Sequence, residues 1–185
     1  PGGYGSDIFK KISPLGSIPT LKHNNMILYE SEIINEYLNE LYPTPPMLTN
    51  DIELNAKIRM ISRFHDTKLE PSIRSFFKYK KQTKYSYNDI VEDFVNLENQ
   101  LKIFNTIIND TKYIAKDEIT LADCSFPSWF ALFNIFCDHF KKQIILSGKI
   151  KKYYKNLLDD KFMRNQYDDY YQNALKWSKE SLLQN

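Results

Sequence analysis

The chain has 185 residues, of which 42% are hydrophobic, so it can bury one large core or two small ones. Its 25 basic and 23 acidic residues leave a formal net charge of +2, which gives no general argument for nucleic-acid binding. No apolar run reaches the roughly 18 residues of a membrane-spanning helix, and the N-terminus has no signal-peptide pattern. Two cysteines argue against a disulfide framework. We therefore expect a cytoplasmic globular protein that neither enters a membrane nor binds nucleic acid.

The first predicted elements are a β-hairpin and a helix. Two short apolar runs, 18–21 and 26–29, flank a polar turn, which predicts two antiparallel strands. Ser31 follows, and apolar residues then recur at helical spacing up to Leu41. We predict an amphipathic helix here with Ser31 as its N-cap.

A proline-rich run at 42–46 ends this helix, because proline cannot continue it. It is the clearest domain boundary in the sequence. We predict a small N-terminal domain at 1–42, a linker at 43–50 and an all-helical domain at 51–185.

The segments after the linker are all predicted to be helical. Residues 51 to about 81 form one long segment that Pro71 is expected to kink. A single helix is predicted next, from an apolar stripe spaced four, three, four, three and four residues apart: Ile90, Phe94, Leu97, Leu101, Phe104 and Ile108. Residues 120–137 are apolar nearly all round, which places that helix at the centre of a bundle, and Pro127 is expected to bend it. The lysine- and tyrosine-rich remainder predicts two or three surface helices.

Thr120 and Asp123 have the spacing of a capping box, with threonine at the N-cap and a carboxylate at the third helical position. A capping box satisfies backbone donors at the start of a buried helix, where unpaired donors are costly. We assign this pair a structural role and no part in catalysis.

The two cysteines and three histidines could suggest redox or metal chemistry, but structural roles explain them more simply. Cys124 and Cys137 are predicted to lie on the buried helix, where cysteine usually acts as a small hydrophobe. His23, His65 and His139 lack the spacing of metal ligands, so we predict no metal site. His65 is expected to be solvated or at the edge of the core, although it could instead face a cleft.

Two runs of lysines interleaved with tyrosines are expected to be solvated helix ends. The alternative is that they contact RNA or a protein partner. The first run comprises Lys78, Lys80, Lys81 and Lys84 with Tyr79 and Tyr85, and the second comprises Lys149, Lys151, Lys152 and Lys155 with Tyr153 and Tyr154.

Three blocks in this order, residues 14–21, 28–38 and 119–123, resemble the corresponding motifs of cytosolic glutathione transferases. The resemblance extends from about Phe9 to the C-terminal helices. It implies a mostly α fold, in which a partial thioredoxin-like N-terminal domain, a β-hairpin plus a helix, precedes an all-α helical bundle. It also implies that glutathione is a substrate or cosubstrate.

The same resemblance implies that Ile18, Pro19, Glu30 and Ser31 bind glutathione. Pro19 would be a cis proline that presents the Ile18 backbone for pairing with an extended peptide. Glu30 would attract an ammonium group, and the helix that starts at Ser31 would attract a carboxylate. Without the resemblance, the alternatives are an ordinary edge-strand proline at Pro19 and, favoured by chemistry alone, a plain capped helix at Glu30 and Ser31.

One part of the family pattern is missing. The residue that activates the thiol, a Tyr, Ser or Cys, precedes the cis proline in this family by a whole strand–helix–strand unit, whereas Ile18 lies near the N-terminus. We therefore expect that unit to be absent from this sequence and leave the catalytic residue unknown. Tyr4 and Ser6 are of the residue types that activate the thiol, but they do not lie at the position of that residue in the family, so we do not assign them this role.

The resemblance further implies a homodimer, formed through residues 51–81 and 89–109. It implies that the full-length protein conjugates glutathione or uses it for thiol transfer or reduction. The alternative is a non-catalytic interaction module, of the type found in translation factors, synthetase complexes and transcription regulators. Glu30 and Ser31 favour catalysis, because a scaffold needs neither.

Overall fold

The computed structural model describes residues 5–79 and 86–182. The chain forms two compact units, residues 1–49 and 50–185. The first holds helix α1 (Asp7–Ile12), strands β1 (Thr20–His23) and β2 (Met26–Tyr29), and helix α2 (Ser31–Leu41). The second is helical, with α3 (Ile52–Phe64), α4 (Glu70–Arg74), α5 (Tyr87–Ile107), α6 (Phe126–His139), α7 (Gly148–Asp159) and α8 (Lys161–Ser181). This architecture confirms the predicted mostly α fold class.

Strands β1 and β2 pair antiparallel, from Thr20 opposite Tyr29 to His23 opposite Met26. The two-residue turn between them places Asn24 at a φ of 54°, a left-handed conformation that asparagine tolerates well. Strand β2 has the predicted bounds, but β1 starts two residues later than predicted. Pro19 has no N–H to donate to a strand ladder, which is why regular pairing starts at the next residue.

Aromatic side chains fill the core of the second unit. The predicted stripe of α5 is buried along its length, and nearly every side chain in the middle of α6 is buried. The Phe76 ring lies 4.5 Å from that of Phe94 and 5.2 Å from that of Phe136. Offset and edge-on ring pairs of this kind add to the stabilisation that burial alone provides.

The predicted long segment from 51 is not a single helix. Helix α3 ends at Phe64, a π-helical turn covers His65–Leu69, and α4 gives way to a 3₁₀ turn at Ser75–Lys78. Pro71 lies at the start of α4 and cannot supply the N–H of a regular helical bond. The predicted end of the segment, residues 80–81, lies outside the described residues.

Helix α6 starts later than predicted, at Phe126 rather than Thr120. Thr120 and Asp123 instead close a separate 3₁₀ turn, Leu121–Asp123, just before it. Pro127 therefore lies in the first turn of α6, where no intrahelical N–H is required, so the reason for the predicted bend, a helical bond lost inside the helix, does not hold. No helix among the described residues is long and apolar enough to cross a membrane.

Candidate functional site

The residues predicted to bind glutathione come together at one end of the hairpin. Thr20 pairs with Tyr29, so Pro19, just before one strand, and Glu30, just after the other, flank the same pair. Ile18 and Ser31 are one residue further out on each side. All four residues are exposed.

Glu30 has the most unusual backbone of the four. Its φ of 68° and ψ of 117° fall in a region that residues with side chains rarely occupy, at a cost of about 1–3 kcal/mol. Its carbonyl oxygen accepts the first helical bond, from the Ile34 amide at 3.0 Å, and its side chain makes no capping bond. Strained residues of this kind concentrate at ligand-binding sites. Sequence patterns did not reveal this feature, because nothing in the composition signals a glutamate at positive φ.

Ser31 is the first residue of α2, and Glu30 is the N-cap. The prediction that Ser31 is the N-cap is therefore wrong by one position. Amide groups in the first turn of a helix have no partner within the helix, and the helix dipole adds positive potential there. The exposed start of α2 can therefore attract a carboxylate, with the Ser31 hydroxyl as a further donor.

Ile18 lies in a short segment that leads into β1. Its side chain is 67% exposed, its backbone forms no hydrogen bond with the residues that the structure describes, and the Ile18–Pro19 bond is cis. The preceding carbonyl, of Ser17, accepts hydrogen bonds from the hydroxyls of Thr20 at 2.9 Å and Ser13 at 3.4 Å. The segment is thus held in place while the Ile18 backbone stays open to an extended peptide.

Together these residues offer complementary contacts to a small peptide with a zwitterionic end. An acidic side chain next to a helix start matches an ammonium and a carboxylate on one carbon. The Ile18 backbone can pair with an adjoining peptide group.

Asp123 lies in the second unit and is fully buried. Its carboxylate accepts hydrogen bonds from the Thr120 amide at 2.8 Å, the Thr120 hydroxyl at 2.9 Å and the Ile114 amide at 3.1 Å. Burial raises the pKa of Asp123, while these donors favour its charged form. The group joins two stretches of backbone, which fits the predicted structural role.

The cysteines behave differently from each other. Cys137 lies on α6, where burial raises the pKa of its thiol to about 12, as expected of an unreactive core cysteine. Cys124 precedes α6 and is exposed, so the prediction that it lies on the buried helix is wrong.

His65 is buried rather than solvated. Its Nδ1 lies 3.1 Å from an Asp66 carboxylate oxygen, and its ring packs edge-on against Phe126 at 5.1 Å. The described residues contain no cluster of three or more His, Cys, Asp or Glu that could hold a metal ion.

Several lysines of the two basic runs are engaged locally. Lys152 lies 2.6 Å from Asp110, Lys155 lies 2.6 Å from Asp159, and Lys78 lies 2.8 Å from Asp93. Lys149 donates to the carbonyl of Ile108. Lys80, Lys81, Lys84 and Tyr85 lie outside the described residues. These four lysines thus have acidic or carbonyl partners that compete with any nucleic acid.

Comparison with known protein families and structures gives concordant results. The family model "Glutathione S-transferase, N-terminal domain" matches residues 1–46. The chain is 29% identical to glutathione S-transferase Z2 of Arabidopsis thaliana, over 73% of this chain and 62% of that protein. It is 30% identical to maleylacetoacetate isomerase of Mus musculus, over 68% and 58% respectively. It is also 27% identical to a stringent starvation protein A homolog of Haemophilus ducreyi, over 64% and 53%. The chain therefore spans roughly three fifths or less of these relatives.

Solved structures show the same fold. Human glutathione-S-transferase T1-1 in its apo form superposes with a TM-score of 0.78 at 19% identity, over 92% of this chain and 73% of that one. A theta-class glutathione S-transferase from Xanthomonas axonopodis pv. citri with glutathione bound gives 0.70 at 16% identity, over 89% and 79%.

Proposed function

We propose, on the basis of its N-terminal family match and the relatives to which it is similar, that the chain is a member of the cytosolic glutathione S-transferase superfamily and that it binds glutathione through Ile18, Pro19, Glu30 and Ser31. Glu30 binds the ammonium of the γ-glutamyl group, and the start of α2 with the Ser31 hydroxyl binds its carboxylate. The Ile18 backbone pairs with the cysteinyl part of the peptide, beside Pro19.

The strained backbone of Glu30 is the observation that carries this proposal. An ordinary N-cap would adopt an extended backbone and bond its side chain to the first turn. Glu30 does neither, so its carboxylate stays available to a ligand. A purely structural explanation leaves the cost of the positive φ without a compensating gain.

Isothermal titration calorimetry with reduced glutathione tests the proposal directly. Replacing Glu30→Gln and Ser31→Ala together removes a charge-assisted hydrogen bond and a hydroxyl donor, so we expect affinity to fall by about 10- to 100-fold. Glu40→Gln makes the same charge change at the far end of α2 and is the matched control.

The dipeptide Cys-Gly, which lacks the γ-glutamyl group, is the control ligand. Its binding should be weak in every variant and should not respond to the double substitution. Unchanged glutathione affinity in the double variant, with the native fold retained by circular dichroism, would refute the assignment.

We further propose that the full-length protein is a cytoplasmic enzyme that conjugates glutathione to an electrophile or uses it in thiol transfer or reduction. Two assays on the full-length protein separate these reactions. Conjugation is followed with 1-chloro-2,4-dinitrobenzene, and thiol transfer with hydroxyethyl disulfide.

The second candidate function is a non-catalytic interaction module. The similarity to stringent starvation protein A homologs favours it. The chain is similar to these proteins as well as to transferases and isomerases. Glutathione binding without turnover in either assay would support this alternative.

We also propose that the protein is a homodimer. Exposed apolar residues recur at four-residue spacing on α5, at Tyr87, Val91 and Val95, and two more, Ile52 and Met60, lie eight residues apart on α3. Surface helices do not usually present apolar stripes to water. The two α3 residues and, on α5, Val91 and Val95 lie in the segments through which the family resemblance implies pairing.

Sedimentation velocity at micromolar concentration checks the dimer. The wild type should sediment above its monomer mass of 22.0 kDa, and Val91→Glu with Val95→Glu should shift it to monomer. Phe162→Glu alters an exposed apolar residue on α8 and should leave the mass unchanged. A wild type that is monomeric throughout would exclude the proposal.

A further inference from the structure

The segment between α6 and α7 has an unusual backbone. Gln143, Ile144, Ile145 and Leu146 belong to no helix or strand, and none of them forms a hydrogen bond with the described part of the chain. None of these four residues is fully buried, so the pairing that buried backbone groups require is not imposed on them. Four successive residues without a partner therefore leave donors and acceptors open to water or to a ligand.

This segment, residues 143–146, also has the alternation of a strand. Ile144 and Leu146 are half-buried, whereas Gln143 and Ile145 are exposed, the period of two expected when successive side chains point to opposite faces. Ser147, which follows, has an extended backbone with φ −129° and ψ 168°. Isoleucine is enriched in strands. The segment thus resembles a single strand without a neighbour, and Ile145 is 79% exposed.

A pocket of about 430 Å³ lies between this segment and α5. Leu101 of α5 and Ile150 of α7 give it buried apolar walls. Asn105 of α5 also lines the pocket, and its side-chain oxygen accepts a hydrogen bond from the Ile150 amide at 3.2 Å. The volume is within the range of small-ligand sites, about 300–1,000 Å³, and it can hold one or two apolar side chains.

The charges at the pocket and just before the segment are positive on balance. Glu98, which lines the pocket, is neutralised by Lys142 at 3.2 Å. Lys102, which also lines the pocket, and Lys141, two residues before the start of the segment, are exposed and form no ion pair with the residues that the structure describes. A ligand with acidic groups beside an apolar centre would match this distribution. A second copy of the chain would not, because antiparallel pairing of two such segments would bring Lys141 of one copy towards Lys149 of the other.

We propose that residues 143–146 form a docking edge, to which an extended peptide of a partner protein adds as a strand. The peptide has an apolar centre that enters the pocket and acidic residues that meet Lys102 and Lys141. Main-chain hydrogen bonds supply affinity, and the pocket supplies specificity. This inference is independent of glutathione binding, since every residue it uses lies in the second unit.

Fluorescence polarisation tests the proposal with a fluorescein-labelled peptide, Glu-Glu-Leu-Ile-Val-Leu-Glu-Glu. We expect saturable binding with a Kd below about 100 µM, weakened at least threefold between low and physiological salt. A peptide with lysine in place of each glutamate should bind at least tenfold more weakly. Equal binding of the two peptides, or no binding of the acidic one, would overturn the proposal.

Two changes separate strand addition from simple charge attraction. Ile145→Pro removes one backbone donor of the protein. Methylation of alternate backbone nitrogens of the same peptide removes donors of the ligand without altering the protein. The methylated peptide is made in both registers, one for each set of alternate nitrogens. We expect at least a fivefold loss from the proline and from one methylated register. Full affinity in both methylated registers would exclude main-chain pairing.

Lys102→Glu should also weaken peptide binding at least fivefold, and Lys176→Glu, an equivalent change on α8, should not. Glutathione titration of the same variants should be unaffected. A small apolar anion, 8-anilinonaphthalene-1-sulfonate, tests whether the pocket takes a small molecule instead. If this anion binds, Lys102→Glu abolishes its binding and no peptide binds, then the pocket is a small-molecule site and the peptide proposal is overturned.

Discussion

The two units of the chain are built in different ways. In the first, the only described residues that are buried are Ser13, Gly16 and Ile34, and several large apolar side chains remain exposed. In the second, a continuous set of aromatic side chains from α5, α6 and α7 is almost entirely buried. A small unit buries a smaller share of its surface than a large one. The first unit is therefore held mainly by its hairpin ladder, its turns and α2.

This difference bears on function. The proposed glutathione site lies in the unit with little core, at a residue whose backbone is strained. The second unit has a large core with a buried capping box. We expect the second unit to supply most of the stability and the first to be the one that a bound ligand stabilises most, since binding to the native state adds to its stability.

The largest expected effect comes from removing the buried carboxylate of the second unit. Asp123→Ala would leave the Thr120 and Ile114 amides without their acceptor in a buried environment. We expect the free energy of unfolding to fall by about 3 kcal/mol, measured by urea denaturation followed by circular dichroism.

Asp159→Ala is the matched control, because it removes an exposed carboxylate that pairs with Lys155. Exposed ion pairs contribute about 0.2–1 kcal/mol, so its effect should be several times smaller. Equal losses in the two variants would show that the capping box has no special role in this unit.

The sequence predicted the regular part of the fold well, because hydrophobic spacing reports directly on which face of an element is buried. The stripe from Ile90 to Phe104 and the strand at 26–29 both have the predicted place in the structure. The predictions failed where local backbone chemistry interrupts a periodic pattern. The π-helical turn at His65–Leu69 breaks the long helix, and the capping box closes a 3₁₀ turn before α6.

The candidate site could be predicted only in part. Residue types and the family resemblance identified Glu30 and Ser31, but the positive φ of Glu30 depends on how β2 joins α2 in three dimensions. The segment 143–146 gave no signal at all, since an isolated apolar run is equally compatible with a buried strand or a helix end. Its open backbone becomes evident only when the hydrogen bonds of its neighbours are known.

The strain at Glu30 gives a prediction that separates stability from binding in the first unit. Glu30→Gly relieves the positive φ, and after the entropic cost of glycine we expect the hairpin to become more stable by about 1 kcal/mol. Hydrogen exchange of the β1 and β2 amides would detect this as slower local opening. The same variant should bind glutathione at least tenfold more weakly, because it lacks the carboxylate.

Asn24→Gly is the control for that experiment. Asn24 also has a positive φ, but it lies at the opposite end of the hairpin from the proposed site. It should slow exchange to a smaller extent and leave glutathione affinity unchanged. A Glu30→Gly variant that keeps full affinity would show that the strained residue holds no ligand.

The smallest expected effect concerns charge at a helix start in the second unit, where Asp160 is the N-cap of α8. Its carboxylate accepts hydrogen bonds from the Met163 and Phe162 amides, both at 3.0 Å, and from the Tyr113 hydroxyl at 2.8 Å. These donors, the Met163 amide foremost, lower the pKa of Asp160 in the folded chain. The stability that its charge contributes is therefore present above its unfolded-state pKa, near 3.9, and is lost as the pH falls through the lower folded-state value.

Asp160→Asn keeps a good N-cap residue but removes the charge, so it should cost under about 1 kcal/mol at pH 7. Urea denaturation at pH 7, 4 and 3 should show the gap between wild type and variant closing with acid. A gap that stays constant down to pH 3 would mean that hydrogen-bond geometry, and not charge, stabilises the start of α8.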